Sequence, residues 1–346
     1  MKPRHAWMIL ALGLVLLAGC TAQQGGIFKT AVPPTATPEG VPFATPQKGA
    51  QPPVLPVMPT PVRIGEATAA LPRPTLEAGA ASILLYLPVV MQPGSATVAM
   101  DWTQLPVLPV VSQHARDIYQ RGLTLGTDPR HFSKVGDCQN IPQYFLGIFD
   151  DPNTPLYQYE EELRSTVNNF EGGWKRKSKA VKTGFNIASV LSPLYADPEE
   201  CTRGETPLDC ELRLYRPSIV LISMETWPGD RPIEYYELYL RQILNQVIAF
   251  GAVPIVATKA DNLEGDHAIN QMVARVAAEY DIPLWNFWAA VQPLPDHGLL
   301  QDAFHLTNGP NFFNDAEAMK MAWPVRNLTG LQTIATVWKA VSSPEP

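Results

Sequence analysis

The chain has few positive charges for its length. Lysine and arginine number 26 against 33 aspartates and glutamates in 346 residues, so the formal net charge at pH 7 is −7. Nucleic-acid binding requires concentrated lysine and arginine that neutralise phosphates. The short basic run at residues 175–179 fits a solvated loop better than a binding patch, although both interpretations stay open. The composition therefore argues against a nucleic-acid partner.

Cysteine is also scarce, at four residues. None of the spacings resembles the C-x₂-C pairs of zinc sites, so no structural metal is predicted. Cys201 and Cys210 bracket a short polar loop, and in an oxidising compartment the default for such a pair is a local disulfide. Cys138 is then left as a thiol in a place where thiols oxidise readily, which calls for a functional reason.

The first apolar run, at residues 8–17, is too short to span a bilayer. It follows a basic stretch at residues 2–5 and ends in Leu-Ala-Gly-Cys20, which resembles a bacterial lipoprotein signal. A plain secretory signal with a chance cysteine is the alternative. Cleavage before Cys20 removes two positive charges and no acid, which changes the net charge from −7 to −9. We expect lipidation at Cys20 and anchoring on the extracytoplasmic face of the cell membrane.

Proline marks the domain boundary. A large share of the 35 prolines falls between residues 20 and 110, among repeated alanine, threonine and valine. Such a segment buries too little apolar surface to offset its ordering entropy, so residues 20–110 are interpreted as a disordered stalk. The apolar stretch 83–91 within it is not assigned a role. Residues 111–346 are predicted to form the folded domain.

Beyond the stalk, strand-like and helix-like segments alternate. The predicted strands are Phe132–Gly136, Ile219–Met224, Val253–Ala257 and Leu284–Phe287. The predicted helices are 159–170, one N-capped by Asp230 and stopped by Gly251, one through 269–277, and a closing helix at 328–341. Continuous apolar strands are typical of a sheet covered on both faces, and the alternation predicts βαβ units. The expected fold class is α/β, with a parallel sheet in a three-layer α/β/α domain.

Two short blocks carry the functional signal. Gly136-Asp137-Cys138 follows the first predicted strand, and Asp302-Ala303-Phe304-His305 precedes the closing helix. In order and position they resemble the nucleophile block and the Asp-x-x-His block of the SGNH/GDSL hydrolases, with cysteine in place of serine. The resemblance implies a flavodoxin-like fold and a triad in which Cys138 attacks, His305 acts as base and then acid, and Asp302 orients the imidazole. The alternative is an inert Cys138 on a scaffold that keeps the Asp302–His305 pair for structural reasons.

The family's remaining blocks supply donors to an oxyanion hole. Gly184 matches the glycine of one block, and the backbone N–H of Cys138 is a further donor in the family's arrangement. In the last block, Trp227 stands where the family has asparagine and Glu225 where it has glycine. The loss of one oxyanion donor typically lowers the rate by about 10²–10³. The indole N–H of Trp227 is a candidate replacement donor.

Three acidic residues are assigned to the substrate pocket, namely Asp137, Glu225 and Asp261. Glu225 and Trp227 form a candidate sugar site, in which the ring stacks on the sugar and the carboxylate accepts hydroxyls. Filling of the pocket by a large aromatic ring is the competing interpretation. Asp261 is either a substrate contact or the N-cap of a helix that begins near Asn262.

Together these features predict a lipid-anchored esterase or deacylase that acts on acylated glycans or other small esters without a metal or organic cofactor. The rival is a catalytically inactive protein of the same fold that binds a glycan or a cell-wall partner. Redox sensing by Cys138 is a third, weaker interpretation, because no resolving cysteine is evident. The sequence indicates neither the acyl group nor the oligomeric state.

Overall fold

The computed structural model of the chain describes residues 101–227 and 231–343. The predicted signal peptide, the lipidation site Cys20 and the apolar stretch 83–91 lie outside the described residues, as does the predicted helix cap Asp230. Within the two described ranges, no helix combines the length and the apolar character needed to cross a membrane.

A parallel sheet of four strands lies at the centre of the described domain. The strands are β1 (Asp128–Gly136), β2 (Pro217–Ser223), β3 (Val253–Ala257) and β4 (Leu284–Trp285), side by side in chain order. On the other side of β1, Gly136 makes a single parallel bridge with Val181. The chain therefore winds in opposite directions on the two sides of β1. In open α/β sheets, ligands bind at the carboxyl end of the strands at such a switch point.

Helices cover both faces of this sheet. The α-helices of the described residues are α1 (Gln113–Leu125), α2 (Glu160–Asn169), α3 (Pro207–Tyr215), α4 (Ile233–Phe250), α5 (Ala268–Glu279), α6 (Phe287–Val291) and α7 (Ala322–Ser342). Successive strand residues point to opposite faces, so Ile219 packs with α1, α2, α6 and α7, whereas Val220 packs with α3, α4 and α5. The predicted α/β class with a three-layer parallel-sheet architecture is confirmed.

Some predicted strands and helices differ from the observed ones at their ends. The last strand stops at Trp285 rather than at Phe287, because Asn286 caps α6 by accepting a hydrogen bond from the backbone N–H of Ala289 at 3.3 Å. The closing helix begins at Ala322 rather than at residue 328, because Pro324 falls in the first turn, where a helix tolerates proline.

Helix α4 begins at Ile233, with Pro232 at the N-cap position for which the sequence predicts Asp230. A missing backbone N–H has no consequence there, because the first N–H groups of a helix have no partner within the helix. The predicted stop is confirmed, since Gly251 adopts the left-handed conformation at φ +94° and its N–H reaches the last carbonyls of the helix.

Residues 101–110, which the sequence places in the stalk, pack against the domain. The ring of Trp102 is buried, and its centroid lies 4.7 Å from that of Trp288. The Asn286 side chain donates to the backbone carbonyls of Trp102 at 3.2 Å and Leu105 at 3.0 Å. The ordered packing thus includes chain before residue 111.

The predicted disulfide between Cys201 and Cys210 is confirmed. The two residues are nine positions apart, and Cys210 lies on α3. Closing a loop of this length stabilises a fold by about 2–3 kcal/mol in the chain-entropy model. The bond ties the loop before α3 to one face of the sheet.

Candidate functional site

The predicted nucleophile lies immediately beyond the carboxyl end of β1. Gly136 is the last residue of the strand, and Cys138 begins a short 3₁₀ turn, Cys138–Asn140, for which Asp137 is the N-cap. A Cβ atom on Gly136 would lie 2.1 Å from the Asn140 side-chain nitrogen and 2.6 Å from the carbonyl oxygen of Ser223. The glycine therefore permits the close approach of β1, the turn and β2. Cys138 is buried and is not part of a disulfide.

Asp137 joins the nucleophile turn to the loop after β2. Its carboxylate is fully buried. One oxygen accepts from the backbone N–H of Gln139 at 3.0 Å, and the other accepts from the backbone N–H groups of Glu225 and Thr226, both at 3.0 Å. The Thr226 hydroxyl donates to the same oxygen at 3.1 Å. These contacts are all within the protein, so Asp137 positions two loops of the predicted pocket.

A second buried carboxylate, Glu225, lies beside Asp137. Burial and the negative charge of Glu225 raise the pKa of Asp137 well above its ordinary value. Burial acts in the same direction on Glu225, but the Arg326 guanidinium and hydrogen bonds outweigh it and lower the pKa of Glu225. Two adjacent buried carboxylates do not both ionise readily, so the pair keeps a proton at a pH where separate carboxyls lose theirs.

Arg326 on α7 holds Glu225 in place. The guanidinium is fully buried and donates to Glu225 Oε1 at 2.9 Å and to the Ser223 hydroxyl at 2.8 Å. Its carbon lies 4.8 Å from the ring centroid of Phe145 and 4.7 Å from that of Phe287. Sequence reasoning missed this residue. The available signal was an arginine within an apolar stretch of the closing helix, which indicates a buried partner of opposite charge.

The structure brings Asp302 and His305 together, as their spacing predicts. His305 Nδ1 lies 2.5 Å from Asp302 Oδ2, and the backbone N–H of His305 donates to Oδ1 at 2.9 Å. The hydrogen bond from the imidazole lowers the pKa of Asp302 to about 2. The carboxylate is therefore ionised at any physiological pH and orients the ring. The other nitrogen, Nε2, is buried and makes no hydrogen bond within the described part of the chain.

The His305 loop and the segment that follows the Cys138 turn both make hydrogen bonds to helix α7. The Thr307 hydroxyl accepts from the backbone N–H of Ala322, the first residue of α7. On the same helix, Asn327 accepts from the backbone N–H of Leu146 at 2.6 Å and donates to the carbonyl of Tyr144 at 3.1 Å. Helix α7 thus links the His305 loop to the segment that follows Cys138.

Gly184 and Trp227, the two predicted oxyanion-hole donors besides Cys138, have different surroundings. Gly184 is exposed, in a turn with φ +83°, shortly after the bridge between Val181 and Gly136. The indole N–H of Trp227 donates to the backbone carbonyl of Arg231 at 3.2 Å. The Trp227 ring also packs edge-on against Tyr236, with centroids 5.5 Å apart. Its N–H is therefore engaged with the start of α4 in this structure.

Asp261 does not cap a helix, because α5 begins at Ala268. Its Oδ1 lies 2.5 Å from the buried ammonium of Lys259, which also contacts Glu264 at 2.6 Å. Its Oδ2 is buried and makes no hydrogen bond to any residue in the described ranges. The N-cap interpretation is wrong, since the charge of Lys259 holds residues 261–264 in a loop. Asp261 keeps one carboxylate oxygen that the protein does not use.

One group of side chains among the described residues has the compactness of a metal site. It consists of Cys201, Glu205 and Cys210, whose candidate ligand atoms lie within 4.8 Å of one another. Both sulfur atoms are joined in the disulfide, so they are not thiolate ligands. The residues present do not fit a metal ion.

No protein-family model matches the chain, and no curated protein does. Among solved structures, it is similar to a GDSL-like lipase from Bacteroides thetaiotaomicron, at 13% sequence identity and a TM-score of 0.37. The match covers 64% of this chain and 97% of the lipase chain. A likeness at this TM-score assigns neither a fold nor an activity.

Proposed function

We propose that the chain is an ester hydrolase of the SGNH/GDSL type, with Cys138 as nucleophile, His305 as general base and Asp302 as the residue that orients it. The observation that carries the proposal is the Asp302–His305 pair. Its carboxylate fixes the Nδ1 side of the ring, which leaves the buried Nε2 available for a proton. Cys138 follows the carboxyl end of β1, the strand on either side of which the chain winds in opposite directions. Ligands of open α/β sheets bind at this position, so a nucleophile there can meet a substrate.

The reaction has two halves. His305 Nε2 takes the proton of the Cys138 thiol as Sγ attacks the ester carbonyl, and the backbone N–H groups of Cys138 and Gly184 stabilise the oxyanion. The alcohol then leaves with the proton held by His305, and a thioester remains on Cys138. Water, deprotonated by His305, attacks the thioester and releases the acid and the thiol. Cys138 Sγ and His305 Nε2 need to come within hydrogen-bond distance of each other only when substrate is bound.

The natural substrate in this proposal is an acylated glycan outside the cytoplasm. The support is the lipoprotein-like signal ending in Cys20 and the proline-rich stretch that follows it. Lipid on Cys20 holds the enzyme at the membrane, and a stalk of residues 20–110 lets the domain reach surface polymers. Arg326 holds one carboxylate oxygen of Glu225, and Lys259 holds one of Asp261, while the other oxygen of each makes no hydrogen bond to the described residues; both carboxylates therefore stay candidates for a substrate contact.

A glycan- or cell-wall-binding protein without catalysis is the second candidate. The observation that favours it is the state of Trp227, whose N–H is directed to Arg231 rather than to an oxyanion. With asparagine absent and the indole engaged, the hole has only backbone donors. Loss of one donor leaves considerable catalysis in well-studied hydrolases, so the observation weakens the hydrolase without excluding it.

Hydrolysis of a nitrophenyl acetate ester by the full chain distinguishes the two candidates. We expect turnover in the parent protein, a loss of at least about 10³-fold in Cys138→Ala, and retained turnover in Cys138→Ser, because the family uses serine at that position. The serine variant also shows that substitution at this buried position does not abolish folding. Parent turnover that is absent, or that survives in Cys138→Ala, would contradict the proposed nucleophile and favour the binding protein.

A further inference from the structure

A cleft is lined in part by the residues that follow the Cys138–Asn140 turn. It has a volume of about 330 Å³. One wall is residues 141–143, which directly follow the Cys138–Asn140 turn. The other wall is formed by Lys177 and residues 181–183, which lead from the Gly136 bridge towards Gly184. The two walls are thus chain segments that adjoin, in sequence, the proposed nucleophile turn and one of the proposed oxyanion donors.

The charge of this cleft is unlike that of the whole chain. Lys177 and Lys182 both line it, and among the described residues its lining contains no carboxylate. The two lysines are exposed, and no described carboxylate forms an ion pair with either of them. In the same basic run, Arg176 pairs with Glu211, and Lys179 pairs with Asp197 at 2.9 Å. Arg176 and Lys179, which do not line the cleft, are thus ion-paired, whereas the two lysines that line it are not paired with any described carboxylate.

A second cleft continues from the first. The two share Pro142 and Gln143, and the second has a volume of about 450 Å³. Its lining includes one more lysine, Lys175, and one acid, Asp151. The two clefts together have three lysines in their linings, Lys175, Lys177 and Lys182.

We propose that this lysine-lined cleft binds an anionic glycan, so that the ester presented to Cys138 is carried on a polymer with carboxylate or sulfate groups. The inference rests on the proposed function only for the position of the ester. An ammonium group is a compact charge that attracts such anions, and the attraction is strongest where no neighbouring carboxylate neutralises it. Two or three cations are fewer than the concentrated lysine and arginine that nucleic-acid binding requires.

Direct binding tests this inference without requiring catalysis. The full-length Cys138→Ala protein is titrated against fluorescently labelled polygalacturonate and dextran sulfate, with neutral dextran as the reference polymer, and binding is followed by anisotropy. We expect at least one anionic polymer to bind, with an affinity that falls as salt rises, and neutral dextran to bind far more weakly. The carboxylate and sulfate polymers distinguish the two anion types.

The variant Lys177→Gln/Lys182→Gln is expected to weaken binding by about tenfold. Its matched control is Lys320→Gln/Lys339→Gln, which removes the same charge from exposed lysines outside the cleft and is expected to change affinity less than about twofold. Equal losses in both variants, equal binding of neutral dextran, or no binding of either anionic polymer would overturn the inference. Anionic binding in a chain whose parent form lacks esterase activity would reject the hydrolase and retain the glycan site.

Discussion

Replacing His305 by alanine is expected to lower kcat/KM for a short nitrophenyl ester by about 10³–10⁴. The imidazole is the proposed acceptor of the Cys138 proton, and Nε2 is the one ring nitrogen that Asp302 does not occupy. Asp302→Asn is expected to cost nearly as much, because an amide at this position stabilises the wrong tautomer of the ring. The loss appears mainly in kcat, since neither residue is needed to bind the ester.

The matched control for this prediction is His297→Ala. His297 lies in the preceding turn and contacts a backbone carbonyl, that of Gln292, at 3.0 Å, so it has a comparable setting without a carboxylate partner. Its removal should change kcat/KM by less than about threefold. Because the pKa of Asp302 is held at about 2, the carboxylate stays ionised from about pH 5 to 9, and a deficit of Asp302→Asn should be present throughout this range. Equal losses in the two histidine variants would show that the assay reports loop stability rather than proton transfer.

Replacing Arg326 by methionine is expected to destabilise the domain by about 3–5 kcal/mol, because it leaves Glu225 buried and without its cation. For a domain of this size the melting temperature should fall by about 10 °C. The change is measured by urea unfolding followed by tryptophan fluorescence. Methionine matches the arginine stem in the space beside Phe145 and Phe287, so the loss reports the charge rather than a large cavity.

Two further variants isolate the cause of that loss. Arg326→Met/Glu225→Gln should be more stable than Arg326→Met alone, because the amide removes the unpaired buried charge. Arg241→Met should cost less than about 1 kcal/mol, since Arg241 pairs with Glu237 and Glu279 at a partly exposed site. A double variant no more stable than Arg326→Met would show that the guanidinium contributes through packing on the aromatic rings instead.

The pH dependence of this loss has a definite sign. In the parent protein the pKa of Glu225 lies below its unfolded value of 4.5, so its contribution is present above that pH and is lost as the pH falls through the folded pKa. Without Arg326, burial raises the pKa of Glu225, and ionising it in the folded state becomes unfavourable. The difference in stability between parent and Arg326→Met should therefore grow as the pH rises from about 4 to 8.

Much of the sheet was predictable because its strands are continuous apolar runs. The predicted strand Val253–Ala257 matches β3, and α5 contains the predicted apolar positions. The ends of other elements were less predictable, because they depend on contacts distant in sequence. Asn286, which follows β4, donates to the carbonyl of Trp102, and this hydrogen bond across 184 residues is not evident from local pattern.

In the candidate site, too, some contacts were predictable from the sequence and others were not. Asp302 and His305 are three residues apart, so a local turn suffices to bring them together, and the sequence predicts their contact. Arg326 is 101 residues from Glu225, and no periodicity connects them. The engagement of the Trp227 N–H with Arg231 depends on how the chain enters α4, which the sequence does not specify. Residues that act through long-range partners are thus the ones that sequence reasoning missed.

The most direct test of the central claim is to trap the acyl group on the enzyme. The full chain is mixed briefly with nitrophenyl acetate, quenched in acid, digested and analysed by mass spectrometry, beside Cys138→Ala and His305→Ala. We expect one acetyl group on the peptide that contains Cys138, none on that peptide in Cys138→Ala, and far slower labelling in His305→Ala. Acetyl groups found only on surface lysines, or labelling of Cys138 at the same rate without His305, would contradict a cysteine hydrolase.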